Sequence, residues 1–385
     1  MRYSVAMSIS NRLQPPLQPP LQPLVERLRK EEGINQQIGL ADPLLADEVC
    51  AALPGLNERG ETEELRQILE QLIQRARNME GLGFIDTSAA IRDICMFGGS
   101  LIRFGIEPED IVADFSGTLI QLSARIDAQI PRDSFTDYTV RNPSGQRERR
   151  FTVVDEEIIF IASLRQGMIA LDRCVEYLMQ AYLYPLARKE FAQYCQQATR
   201  AFQDMIDAIV MVKRSITPEA FTHYIRPYFE PFKVNGNPYG APSGAEMSIL
   251  NIDQILWGAD SQEELYRTYF QANVARLPSV FREIGRVFEG QQPLIELVRD
   301  RMTSGSALQA DERESIKELH QFLTRIYTFR MPHYKVAEDN VKLRLKETQG
   351  EKEIKGSSGF GLAEVKYVLE RTIEARQVTA QALAF

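Results

Sequence analysis

The sequence predicts an all-α fold, a helical bundle with one small β-hairpin, and three observations carry that prediction. From about Asp42 onward, apolar residues recur at helical spacings with charges on the opposite faces. Over Asp155–Tyr182 two seams repeat every seven residues, Ile161-Met168-Val175-Tyr182 and Leu164-Leu171-Leu178, as in the central helix of a bundle. Only Phe135–Val154 reads as strand, with Phe135–Val140 and Phe151–Val154 flanking the turn signal Asn142-Pro143-Ser144-Gly145.

In chain order, residues 1–40 are expected to form a Pro-rich strap or tail. The repeat Leu13-Gln14-Pro15-Pro16-Leu17-Gln18-Pro19-Pro20-Leu21-Gln22-Pro23 favours extended polyproline II, with a docking ligand for a partner domain as the alternative. Residues 41–385 form one helical domain, with 41–150 as its smaller part and 151–385 as its larger. In the smaller part, Glu61–Met79 gathers Leu65, Leu69, Leu72 and Ile73 on one side and stops at Gly81-Leu82-Gly83. Thr87–Phe104 places apolar residues around Gly98-Gly99, where a neighbour can approach closely, and Pro108–Ala128 follows as another amphipathic segment. Asp155 is placed to cap the seam helix, and Ala187–Val212 is its antiparallel partner. Pro227, Pro231, Pro238 and Pro242 mark Arg226–Ala245 as irregular, and a long loop inside a compact domain tends to be functional. Helices resume at Met247–Trp257, Gln262–Arg276, Ser279–Glu289, Pro293–Met302 and Asp311–Phe329, and Leu362–Leu383 closes the chain. Pro332 is expected to kink or restart the late helix where His333 begins.

Composition narrows the function. A 44% apolar and 25% charged content is that of a soluble globular protein. The net charge of −8, with basic residues interspersed among acidic ones, argues against a nucleic-acid partner. No apolar run reaches membrane-spanning length and nothing N-terminal resembles a secretory signal, so a cytoplasmic setting is expected. The four cysteines show no C-x-x-C spacing, and H-E-x-x-H, G-x-S-x-G and P-loop patterns are absent. The three histidines, His223, His320 and His333, lie apart in the sequence. A single axial ligand is the metal role that fits them, an arrangement haem iron accepts.

Four places could carry chemistry. His333 follows Pro332, and a ring N–H reaching a carbonyl freed by the kink would aim the other nitrogen outward; a partly buried histidine beside a kink is the plainer reading. In Ile216–Phe229, Thr217 caps, Pro218 opens a short helix and Pro227 pushes Arg226 to extended geometry among Phe221, Tyr224, Tyr228, Phe229 and Phe232. A guanidinium there wants a carboxylate, from a ligand or from a structural Glu. Lys355-Gly356-Ser357-Ser358-Gly359-Phe360-Gly361 offers backbone N–H groups and small hydroxyls to a ligand, or is a linker. Ser163 lies on the seam helix next to Arg165, where a serine is ordinarily a small packing residue.

Taken together these residues resemble the haem-dependent superfamily of indoleamine and tryptophan 2,3-dioxygenases, most closely its bacterial branch of monodechloroaminopyrrolnitrin synthase. The resemblance rests on Asp42-Pro43, Leu53-Pro54-Gly55-Leu56-Asn57, Ala90-Ile91-Arg92-Asp93-Ile94, Gly99-Ser100-Leu101, Phe191-Ala192-Gln193, Arg226-Pro227-Tyr228-Phe229-Glu230-Pro231, Leu256-Trp257-Gly258, Phe329–Glu338 and Gly356-Ser357. It implies an all-α domain of the indoleamine dioxygenase type enclosing haem b in the 151–385 part, with His333 as the proximal iron ligand. It also implies that Phe221 and Arg226 hold the ring and carboxylate of an aromatic amino acid. Ser163 falls on the distal side, and Gly356, Ser357 and Ser358 belong to a loop that closes over the substrate, Ser357 and Ser163 being the catalytic candidates. The implied activity is oxidation of tryptophan or a related indole or aromatic amino acid by dioxygen or peroxide. Plain 2,3-cleavage of the indole ring, or a non-catalytic haem sensor or carrier, are the alternatives, and a homodimer is one option for assembly. The chain departs from the branch at Val341, Ser358 and Phe360, and it is longer between His333 and Gly356.

Overall fold

The computed structural model describes residues 21–347 and 361–384, and these are helical with one two-stranded sheet. Helix α1 (Leu21–Leu40) corrects the expected strap: Leu21-Gln22-Pro23 form its first turn, where a proline's missing N–H has no intrahelical role. Leu21, Leu24, Val25, Leu28 and Ile38 bury its apolar stripe against the body. The earlier part of the repeat, Leu13–Pro20, lies outside the described residues.

Next come α2 (Asp47–Arg59), α3 (Thr62–Asn78) and α4 (Phe84–Arg103). Gly60 ends α2 in the left-handed conformation, its N–H returning to Asn57 O and Leu56 O. In α3, Leu65, Ile68, Leu69, Leu72 and Ile73 face the core, with acids in the first turn and arginines in the last, as the helix dipole favours. Every residue of α4 from Thr87 to Leu101 is buried. The close approach expected at its glycine pair is real: a Cβ on Gly99 would lie 3.2 Å from Tyr228 O, and one on Gly98 3.4 Å from the Phe232 ring. The Pro108–Ala128 segment divides into α5 (Pro108–Ile111) and α6 (Phe115–Arg125).

The expected hairpin at Phe135–Val154 does not form. Phe135–Tyr138 is a short helix, α7, closed by a Ser134/Asp137 capping box. The backbone donors that would build a ladder go to side chains instead. Phe151 N and Thr152 N bond the buried carboxylate of Glu157, and Arg149 N bonds Asn142 Oδ1. The one small hairpin lies elsewhere, β1 (Phe232–Val234) with β2 (Asn237–Tyr239), joined by Asn235-Gly236, both at positive φ. That dipeptide is the strongest short-range hairpin signal a sequence carries.

The bundle proper is α8 (Asp155–Tyr182) antiparallel to α9 (Lys189–Ser215), with α9 in turn against the 38-residue α15 (Ala310–Glu347) and α15 against α16 (Leu362–Ala384). Ile161, Met168, Leu171, Val175 and Leu178 of the expected seams are buried, whereas Leu164 and Tyr182 are partly exposed. Asp155 is the first residue of α8 and makes no cap bond. Between the long helices lie α10 (Pro218–Ala220), α11 (Ile249–Asp253), α12 (Glu264–Val274), α13 (Ser279–Phe288) and α14 (Leu294–Thr303). Both α10 and α11 run on into π-helical turns, Phe221–Ile225 and Gln254–Gly258. Among the described residues no helix is long and apolar enough to cross a membrane.

Candidate active site

The Phe221 segment is built by its cap and its prolines. Thr217 Oγ1 accepts the Ala220 N–H at 3.1 Å and Pro218 occupies the first helical position. The chain then widens into the π-helical turn and tightens into a 3-10 turn, Arg226–Tyr228. Arg226 itself is right-handed helical (φ −55°, ψ −34°), not extended as its position before Pro227 suggested. The 3-10 turn absorbs the proline, because the Phe229 N–H closes it onto Arg226 O. Single-turn π-bulges occur frequently at functional sites.

Phe221 meets Phe160 of α8 with ring centroids 5.5 Å apart. Behind them Tyr138, Phe151, Tyr228 and Phe229 form a continuous aromatic wall, with Phe151 stacked on Tyr228 at 4.8 Å. Ser163 stands three residues beyond Phe160 on α8, one turn along the same face. It is 5% exposed. Neighbouring Arg165 turns away to Thr139 O, Asn142 O, Pro143 O and Glu148.

Arg226 has the carboxylate it was expected to seek, and it comes from the chain: Nη1 donates to Glu230 Oε1 at 2.9 Å and to Phe229 O. The Arg226 side chain is largely buried, whereas that of Glu230 is exposed.

The three histidines separate by environment. His223 is exposed, and His320 Nδ1 pairs with Thr379 Oγ1 of α16 at 2.8 Å. His333 lies inside α15, which runs through Pro332 without restarting. Its ring stacks on Phe329, one turn back, at 5.4 Å and 11°. It is packed among protein atoms and keeps some accessible surface. Burial, helped by the Arg330 guanidinium, holds its pKa down at about 4, so the imidazole is neutral with a lone pair to offer. That donor chemistry fits an axial iron ligand. Arg330 is fixed by Asp253 Oδ2 at 2.5 Å, Val368 O and Thr372 Oγ1. The ion pair was not anticipated from the sequence, although Arg330, three residues before His333, could have been placed on its face.

The structure thus brings Phe160 and Phe221 together, with Ser163 one turn along α8 from Phe160, and packs α10, which leads into Phe221, against the helix that carries His333. Gly356, Ser357 and Ser358 lie outside the described residues. Among those described, no group of three or more His, Cys, Asp or Glu is placed to hold a metal ion.

Comparison with known families agrees with this architecture. The family model of monodechloroaminopyrrolnitrin synthase PrnB matches residues 46–325, a stretch that contains Ser163, Phe221 and Arg226 and ends before His333. The match covers most of the chain, which belongs to the PrnB family, within the haem-dependent superfamily of indoleamine and tryptophan 2,3-dioxygenases.

Proposed function

We propose that the chain is a haem-dependent oxidative enzyme acting on tryptophan or a related indole or aromatic amino acid, with His333 as the one protein ligand of haem b. The observation that supports this best is the state of His333, a neutral and largely enclosed imidazole on the 38-residue helix α15. Bound there, haem supplies the iron that activates dioxygen or a peroxide-level oxidant. The protein's own part is binding, orientation and exclusion of water. Phe221, backed by Phe160, offers a flat apolar wall for the substrate ring. Arg226 anchors the substrate carboxylate, sharing or exchanging its exposed partner Glu230. Ser163 presents a small hydroxyl from α8 on the distal side. Gly356, Ser357 and Ser358, which lie outside the described residues, complete the set of substrate-binding candidates implied by the family resemblance, with Ser357 and Ser163 as the catalytic candidates.

Haem reconstitution followed by spectral titration tests the reading. A Soret band that shifts on adding tryptophan is the expected result. Failure to take up haem removes the proposal, and a haem spectrum indifferent to every aromatic amino acid removes the substrate class.

A further inference from the structure

The only tryptophan of the chain, Trp257, sits in the π-helical turn four residues after Asp253 and is 4% exposed. Its ring lies 4.8 Å from that of Tyr266 and 6.4 Å from that of Tyr367, a half-buried residue of α16. The Arg371 guanidinium stands over the indole at 5.6 Å. Asp253 is 1% exposed and uses Oδ2 for Arg330, while its Oδ1 is buried with no hydrogen-bond partner. The Trp257 indole N–H is near enough to favour the ionised carboxylate, but short of a full bond. An orphaned carboxylate oxygen in a native core calls for an explanation, and proton or redox chemistry is one. Trp257 stands one helical turn from Asp253, Asp253 pairs with Arg330, and Arg330 is one helical turn from His333.

We propose that Trp257 is a one-electron donor placed on the His333 side of the molecule, with Asp253 Oδ1 as its proton acceptor and Tyr367 as the next carrier toward the surface. The acceptor is Asp253 because a guanidinium over the ring opposes a positively charged indole radical, so electron loss is favoured only together with loss of the Nε1 proton. In the first step a strong one-electron oxidant takes an electron from the indole and is reduced by one. The Nε1 proton moves to Asp253 Oδ1, leaving a neutral indolyl radical. In the second step Tyr367 gives an electron to that ring, the proton returns from Asp253 to Nε1, and the phenolic proton, from a hydroxyl with no hydrogen-bond partner among the described residues, passes to water admitted beside Ser261. Tyr266 is nearer but only 3% exposed, whereas Tyr367 is half-buried on α16 and so lies closer to solvent; the hydroxyls of both are buried without a hydrogen-bond partner among the described residues. The relay would carry oxidising equivalents left unspent by substrate away from the site. The source of the oxidant rests on the proposed haem function; the donor itself does not.

Two arms keep those claims apart. In the first, haem-free protein is oxidised by flash-quenched ruthenium tris(bipyridine) and followed by transient absorption and electron paramagnetic resonance. With a single tryptophan, any indolyl signal is Trp257. A neutral indolyl radical is expected, lost in Trp257→Phe, longer-lived in Tyr367→Phe, and replaced by the protonated radical in Asp253→Leu/Arg330→Met, which removes the base without stranding the arginine. Tyrosyl radicals alone in the unaltered protein, or an unchanged neutral indolyl signal in the double variant, would overturn the assignment. In the second arm, haem-loaded protein receives hydrogen peroxide without substrate, and Trp257→Phe should bleach its haem several-fold faster. Equal bleaching rates would overturn the protective role. Failure to load haem would remove the haem reading and leave the first arm to decide Trp257.

Discussion

His333 illustrates how much one side chain's surroundings decide. Its sequence position suggested a ring freed by a kink. The structure shows a ring stacked on Phe329 within an unbroken helix and kept neutral by burial beside Arg330. The sign of the consequence follows. A histidine whose pKa is lowered from 6.5 to about 4 binds fewer protons folded than unfolded, so acid costs stability only as pH falls from 6.5 through 4. Haem affinity measured by absorbance should therefore stay level as pH falls past 6.5 and drop only toward 4. A loss complete by 6.5 would point to another ligand. His333→Ala should lose the Soret band; equal haem retention with an unchanged spectrum would sink the assignment. Arg226 gives a second prediction at this scale. Its bond to the exposed Glu230 is an i,i+4 pair, and pairs of that class are worth about 0.5 kcal/mol, so a substrate carboxylate can displace it cheaply. Glu230→Gln should tighten amino-acid binding about two-fold, whereas Arg226→Leu should weaken it at least ~10-fold and leave indole, which has no carboxylate, still able to perturb the haem spectrum. Unchanged affinity in Arg226→Leu would remove the anchor.

Among the elements, helices with a strong period were legible and short irregular pieces were not. The seam of α8 and its partner α9 follow from spacing, since a buried stripe of that length has few other uses. The hairpin was misplaced because Phe135–Val154 is rich in strand-forming residues, yet the buried acceptors Glu157 and Asn142 take its backbone donors. Meanwhile Asn235-Gly236, the better signal, lay hidden in a stretch read as merely proline-rich. Pro332 failed as a break for a different reason. An interior proline costs about 3 kcal/mol, but α15 recovers it through Ile326, Phe329 and Arg330, buried on the same helix, which packs against α9 and α16. Between elements, α8 is joined to the turn before α11 by Ser248 Oγ donating to Asp172 at 2.6 Å. Burial raises the Asp172 carboxyl from 3.8 to about 8, so the fold favours its protonated form. Its contribution is then present below 3.8 and lost as pH rises through 8. Asp172→Asn, neutral at every pH, should match the unaltered protein in urea midpoint near pH 4 and exceed it above pH 8. Equal midpoints at both ends would show that the carboxyl is not held neutral.

For the molecule as a whole, the connections that matter most run between residues far apart in the chain, and spacing cannot reveal them. Arg92 and Asp93 were visible as a motif, but not that Arg149 closes on the same buried carboxylate at 3.2 Å. Arg330 and Asp253 are a second case, and a more consequential one. Asp253 belongs to the stretch matched by the PrnB family, whereas Arg330 lies beyond it on the helix of His333, and Thr372 and Val368 bring α16 to the same guanidinium. One ion pair therefore fixes the His333 helix against the rest of the bundle. Both side chains are almost wholly buried, so removing either leaves an uncompensated charge in the core. Asp253→Leu or Arg330→Met alone should cost about 3–5 kcal/mol in urea unfolding, while the double variant, with neither charge, should recover most of that loss. The same variants read out the electrostatics of the site. Arg330 is the lesser of the two causes that depress His333, and burial the greater. In the double variant the His333 pKa, followed by NMR, should rise above 4 and still remain below 6.5. A double variant as unstable as the singles would show that the pair does more than cancel its own charges, and an unmoved His333 pKa would show that Arg330 does not act on the ring.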